Sequence, residues 1–323
     1  MNLPGQQAPH PKERESNLGS TNKSRLRRTL IDIFRRAAPG TFRALQLRRF
    51  QEQSRFLDNL TRLTTEDIVM QVEEYHGRFA LNPRSDLFRR LVLYGHYEPD
   101  IAQVLEEVLM TLVEHHPQGF DAIDVGANIG FHSVLFLTRG ARRCLALEPI
   151  PSAAARLRSN LDRNGLHEAG VVEPFAAAAT DGNSVMEVID GMEEYSAIGC
   201  INHAAVTGRP RRRIEISTRR LDRLIEEHGL EPRLLKIDTE GSEWSVLQGA
   251  EAAITTFQPV ILVECSGGDG SHPVLPWLVE RGYVLVDPLE RRRIDQDTRR
   301  DDVLAIPTSL AHLPRLTALL GIP

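Results

Sequence analysis

From about residue 93 onward, short apolar segments that end in polar turns alternate with longer segments of helical periodicity. This alternation predicts an α/β fold, a doubly wound, mostly parallel, seven-stranded sheet of Rossmann-like type preceded by a helical extension. Two further observations support it. An apolar strand, Asp121-Ala122-Ile123-Asp124-Val125, runs straight into the turn Gly126-Ala127-Asn128-Ile129-Gly130 and then into an apolar helix start. Roughly twenty residues later a second apolar segment, Arg143-Cys144-Leu145-Ala146-Leu147, ends in Glu148 and is stopped by Pro149, the spacing of a nucleotide-binding strand pair.

The elements follow in chain order. Residues 1–23 are polar with proline and glycine and predict a disordered tail, and residues 24–92 predict a basic helical extension. Within it Leu26, Leu30, Ile33 and Phe34 form a stripe beside Arg27, Arg28, Arg35 and Arg36, and residues 1–60 carry 12 basic and 5 acidic side chains against a net −5 for all 323 residues. Such a helix can pack on the remaining domain, grip a protein partner or lie on a membrane surface. It lacks the interleaved aromatic residues of a nucleic-acid motif, so no nucleic acid is expected. Helices are predicted at Ile68–Tyr75 and Pro99–His115. Core strands are predicted at Ala122–Val125, Cys144–Glu148, Val171–Ala176, Leu234–Asp238, Val260–Glu264, Tyr283–Val286 and Val303–Ile306, the last two as an antiparallel pair. Between them helices are predicted at Ser152–Gly165, Leu221–Gly229, Gly241–Phe257 and Pro273–Gly282.

The chemistry concentrates where strands end. Gly126 and Gly130 allow close backbone approach, Ala127 adds little bulk and Asn128 tolerates a positive φ, so the turn predicts a cofactor cradle. Glu148, followed by Pro149, stands where a carboxylate accepts bonds from ribose hydroxyls. Asp124, at the tip of its strand, repels a pyrophosphate and attracts an ammonium, and the turn lacks the G-x-G-x-x-G spacing of pyrophosphate recognition, which favours S-adenosyl-L-methionine over a nicotinamide dinucleotide. A third strand, Leu234-Leu235-Lys236-Ile237-Asp238, delivers Asp238 and Glu240 to the same edge and places Lys236 on the face of Asp238, as an ion pair requires.

The pairing of Asp124-Val125-Gly126-Ala127-Asn128-Ile129-Gly130 with Leu235-Lys236-Ile237-Asp238-Thr239-Glu240-Gly241 resembles the FkbM-type S-adenosylmethionine-dependent methyltransferases. Tyr97-Glu98-Pro99, Glu148-Pro149, Ser217-Thr218-Arg219-Arg220-Leu221-Asp222 and Val260-Ile261-Leu262-Val263-Glu264 are similar to that family in order and spacing. The resemblance spans roughly Leu93 to Val286. It implies a class I methyltransferase domain over 93–323 that transfers a methyl group to a hydroxyl oxygen of a sugar, polyketide or other small acceptor. It also puts Asp238 beside the cofactor and Glu98 over cofactor or acceptor. The stretch Ile201 to Arg213 reads as an insertion.

For the acceptor's proton, Asp238 is the first candidate base or the contact for the methionine ammonium; Glu98 and His132 are the other catalytic candidates. Asp181, in the turn Thr180-Asp181-Gly182, is a candidate adenine contact, and Glu264 a candidate acceptor contact. Cys144, Cys200 and Cys265 stand apart and His10, His115 and His116 lack partners at ligand spacing, so no metal or disulfide is expected. With no apolar run of about eighteen residues and no signal peptide, a cytoplasmic protein is expected. A nicotinamide-dependent oxidoreductase and a non-catalytic scaffold that recruits a partner or membrane through its basic helix are the other readings.

Overall fold

The computed structural model describes residues 66–189, 195–198, 208, 210–265, 273–298 and 300–321, with a few positions between 52 and 64. The tail over 1–23 and the amphipathic stripe from Leu26 to Phe34 lie outside the described residues. The chain divides at residues 59 and 60, and the fold described here belongs to the part that follows.

That part opens with an antiparallel hairpin, β1 (Ile68–Val72) and β2 (Gly77–Leu81), joined by a 3-10 turn at Glu73–Tyr75. The helix predicted over Ile68–Tyr75 is therefore corrected. Ile68-Val69-Met70-Gln71-Val72 is too short to separate the two periodicities, and pairing with β2 decides it. The hairpin buries Tyr75, Phe79 and Leu81 completely. Buried Asn160 anchors it: its Oδ1 accepts from the Ala80 amide at 2.7 Å while its Nδ2 donates to the Ile129 carbonyl at 2.9 Å. Two helices follow, α1 (Asp86–Tyr94), capped by the Ser85 hydroxyl, and α2 (Pro99–His115), with proline at its first position.

The main sheet has eight strands rather than seven. β3 (Asp121–Val125), β4 (Arg143–Leu147), β5 (Gly170–Glu173), β10 (Pro232–Ile237) and β11 (Val260–Glu264) are parallel, in the order β11-β10-β3-β4-β5. Beyond β11 run β14 (Asp302–Pro307) and β12 (Tyr283–Asp287), both antiparallel to their neighbours. The eighth, β13 (Arg292–Arg293), is a two-residue edge strand inside the charged connection between them. All seven predicted strands fall in this sheet, but Val171–Ala176 is not one strand: its end, β6 (Ala176–Ala177), leaves for a second sheet with β7 (Gly182–Val188), β8 (Ala197–Ile198) and β9 (Arg212–Arg219), in the order β6-β9-β7-β8. This sheet takes in the end of the predicted insertion.

Helices α3 (Phe131–Thr138) and α4 (Pro151–Arg163) connect β3 to β4 and β4 to β5, and α5 (Leu221–Glu227) leads from β9 into β10. The single helix predicted over Gly241–Phe257 is two, α6 (Glu243–Gly249) and α7 (Glu251–Phe257), meeting at buried Ala250. Helices α8 (Val274–Glu280) and α9 (Pro314–Leu319) complete the fold. The parallel strands are buried on both faces, as the successive residues Leu234 and Leu235, and Ile261 and Leu262, illustrate, so the strand ends remain as the place for polar chemistry. Among the described residues no helix is long and apolar enough to cross a membrane.

Candidate active site

A single cleft opens at the carboxyl ends of β3, β4, β10 and β11. It is lined by Gly126, Ala127 and Asn128 from the turn, Glu148 and Pro149 after β4, Lys236, Asp238 and Glu240 from β10 onward, Glu264 from β11, and Glu98 and His132 from the starts of α2 and α3. The approach of polar groups from separate strands follows from parallel pairing, because every strand in register ends on the same side: Ile237 lies opposite both Val125 and Val263.

The turn is shaped by close packing. A Cβ on Gly126 would lie 1.7 Å from the Asp238 carbonyl oxygen, so glycine is obligatory for β10 to end where it does. The amides of Gly126 and Ala127 donate to the Leu147 carbonyl and that of Asn128 donates to Glu148 Oε2 at 2.9 Å. The turn therefore offers a ligand close approach more than free donors. Gly130 does not line the cleft; a Cβ there would strike Leu157 of α4, so its role is helix packing. Glu148 is fixed by a second bond, from the Ile150 amide to Oε1 at 2.8 Å, which leaves a rigid carboxylate at the wall.

Asp124 departs from the sequence reading. It is fully buried, it does not line the cleft, and its Oδ2 accepts from the Ser133 hydroxyl at 2.6 Å. Its register partner is Lys236, whose Nζ stands 3.9 Å from Asp124 Oδ1 and 2.8 Å from Asp238 Oδ2. Asp124 thus lies one level below the cleft floor, as part of the base on which Lys236 rests. Burial pushes its carboxyl up, with Lys236 and Ser133 pulling against that. Lys236 itself loses hydration, yet Asp238, Asp124 and Glu98 hold its ammonium on and raise its pKa. Asp238 exposes 40% of its side chain to the cleft, and although desolvation opposes its charge, Lys236 keeps it below the ordinary carboxylate range.

Glu98 behaves in the opposite sense. It opens onto the cleft but is walled by protein on its other sides, and loss of hydration followed by the Asp238 charge pushes its carboxyl up, against a hydrogen bond with Tyr97. Its backbone is left-handed, φ 43°, at the cap of α2. Glu98, Asn128 and Glu240 are three of the six described non-glycine residues with positive φ, and all three line this cleft, a concentration of backbone strain that marks functional sites. His132 is 8% exposed, packs edge-on against Tyr75, and has an Nε2 without a hydrogen-bond partner. Burial lowers its pKa far enough to keep the ring neutral.

Asp181 is not at the site. Its Oδ1 accepts from the Arg220 amide at 2.7 Å and its Oδ2 from Arg223 at 2.8 Å, a surface clasp at the start of α5 outside the cleft lining. Glu243, three residues after Glu240, is 2% exposed and accepts from the amides of Thr239 and Gly241 and the Thr239 hydroxyl, so it shapes the turn. Sequence reasoning missed Leu87, Met186, Ser196 and Ile198, which also line the cleft. The alternation Ile214, Ile216, Thr218 in β9 was the available signal for the small sheet that supplies two of them, Met186 and Ile198.

The sequence profile of the methyltransferase FkbM domain matches residues 124–285, half of the chain. The chain belongs to the FkbM methyltransferase family. Over 209 residues it is 25% identical to the hexuronic acid methyltransferase AglP of Haloferax volcanii, an overlap covering 62% of this chain and 76% of that one. Among solved structures, the FkbM methyltransferase of Methylobacillus flagellatus KT shares 18% identity at a TM-score of 0.39, covering 58% of this chain and 43% of that one. Cofactor-bound Rv0187 from MTB shares 16% identity at a TM-score of 0.36, covering 69% and 95%. The FkbM match begins at Asp124 and ends at Leu285, so it takes in the glycine turn, Glu148, Lys236, Asp238 and Glu264, while Glu98 lies before it.

Proposed function

We propose that this FkbM methyltransferase uses S-adenosyl-L-methionine and methylates a hydroxyl oxygen of a sugar or another small hydroxylated acceptor. The observation that carries the reading is the cleft itself, where a glycine turn, a rigid Glu148 and a Lys236-bound Asp238 stand together at the ends of adjacent parallel strands. That donor set fits the ligand: Glu148 suits ribose hydroxyls, and Asp238, ionised beside Lys236, suits the methionine ammonium. The bound cofactor supplies an activated sulfonium methyl. The chain's part is to orient the acceptor oxygen in line, exclude water and take the hydroxyl proton. Asp238, held below its ordinary range, serves better as counter-ion than as base. Glu98, whose carboxyl is pushed up by burial and by the Asp238 charge, holds a proton more tightly and is the better proton acceptor. The sugar acceptor is supported by the relative named for hexuronic acid.

Calorimetric titration of the protein with S-adenosylhomocysteine, and separately with NAD and NADP, tests the cofactor. Saturable binding of the first alone is expected; binding of a nicotinamide alone would return the oxidoreductase reading. Methyl-labelled donor incubated with glycans and small polyols then identifies the acceptor by the fraction that takes up label.

A further inference from the structure

Asp238 and Glu240, after β10, and Glu264, at the end of β11, each offer a carboxylate oxygen within 4.8 Å of the other two. The register explains the approach: Ile237 pairs with Val263, so the next residues, Asp238 and Glu264, leave the sheet side by side. Glu240 is turned back toward them by a left-handed backbone, φ 54°. Asp238 and Glu264 are close enough to hydrogen-bond each other, an arrangement that needs a shared proton or a cation between two acids. Lys236 meets Asp238 only at Oδ2, from beneath.

An independent observation points to the same place. His132 lines the cleft that holds all three acids, is nine-tenths buried, and keeps an Nε2 with no hydrogen-bond partner on a neutral ring. Buried polar atoms are nearly always satisfied, so an orphaned imidazole nitrogen on a residue that lines the same cleft as three carboxylates calls for a ligand. We propose that Asp238, Glu240, Glu264 and His132 form a binding site for a divalent cation that prefers oxygen ligands, Mg2+ or Mn2+. Oxygens around an octahedral ion of this size lie about 3 Å apart when adjacent and about 4.2 Å when opposite, so rotamer adjustments close the set onto an ion. Three carboxylates against one imidazole favour such an ion over a thiolate-seeking one. Bound there, the ion would add the capacity to lower the pKa of a coordinated hydroxyl.

The test needs neither cofactor nor acceptor, so its failure is separate from failure of the methyl-transfer reading. The full chain is titrated with Mn2+ and followed by electron paramagnetic resonance. One ion per chain is expected, displaced by Mg2+, with nitrogen hyperfine coupling that disappears in His132→Gln. Glu240→Gln and Glu264→Gln should each weaken Mn2+ binding about ten-fold or more. Glu240→Gln is the variant least able to disturb folding, since Glu240 sits in a partly exposed turn, and unchanged thermal melting confirms that. Absence of saturable Mn2+ binding at millimolar concentration, or binding unaltered in both glutamine variants, would overturn the site and leave Asp238 and Glu264 sharing a proton only.

Discussion

Asp121 and Asp124 stand three residues apart on β3, both completely buried, and they differ in everything else. At the amino end of the sheet Asp121 is saturated: Arg142 and Arg143 each donate two bonds to it and the Glu231 amide donates a fifth at 2.9 Å. Burial opposes its charge, but Arg143 and Arg142 prevail and its pKa falls. At the carboxyl end Asp124 has the Ser133 hydroxyl and a distant Lys236, and its pKa rises. One aspartate locks the fold. The other forms the foundation of a cleft lined by Asp238, Glu98, Glu240 and Glu264, with buried Lys236 bound to Asp238. The lesson is that a residue's place along a parallel strand, more than its type, decides whether it serves stability or chemistry.

The comparison can be broken most forcefully at the cleft mouth. Glu98→Gln should lower methyl transfer by about two to four orders of magnitude while S-adenosylhomocysteine affinity, read by calorimetry, stays unchanged. Loss of both together would make Glu98 a cofactor ligand and not a base.

Next in size, Asp121→Asn should cost about 2 to 3 kcal/mol in urea unfolding at pH 7, the range for hydrogen bonds to charged groups. Because its pKa is depressed in the folded state, its contribution is present above the unfolded value of about 3.9 and vanishes as pH falls through the folded pKa. Asp124→Asn should behave in reverse. A raised folded pKa means that the stability it contributes is complete below the unfolded value and lost as pH rises through the folded one. The asparagine variant should therefore be as stable as the parent or more so at pH 7, and the gap should close in acid. Equal losses for both substitutions would sink the contrast.

Smaller effects sharpen the outline of the site. Glu148→Gln should weaken S-adenosylhomocysteine binding about ten-fold, or about 1.4 kcal/mol, by calorimetry. Asp181→Ala should leave that affinity unaltered and cost under about 1 kcal/mol of stability, since its arginine clasp is an exposed ion pair.

The readable parts were those in which neighbours in sequence are neighbours in space. Strand and turn from Asp121 form one continuous unit, so Gly126 and, beyond it, Glu148 could be placed from spacing alone, whereas Gly130 packs on Leu157 outside the cleft. Lys236 and Asp238, two residues apart on a strand, share a face by period, and the 2.8 Å contact follows. Asp124 shares that face too, but depth below the strand end is not periodic, and the residue proved covered. The β1–β2 hairpin escaped because five apolar-rich residues fit either periodicity, and the small sheet because two of its strands are only two residues long. Asp181 was misplaced because a turn dipeptide gives no hint of the arginines that claim it.

By itself the sequence determined the layered α/β architecture, the positions of its main strands along the chain and the edge at which polar groups gather, because apolar periodicity and strand-end acids are local properties. Only the tertiary structure decided which acids share a cation, which lie beneath the floor, and that His132 keeps a nitrogen without a partner. Those outcomes depend on register between strands more than a hundred residues apart, such as β3 and β10, and on what each buried charge finds across the gap once water has left.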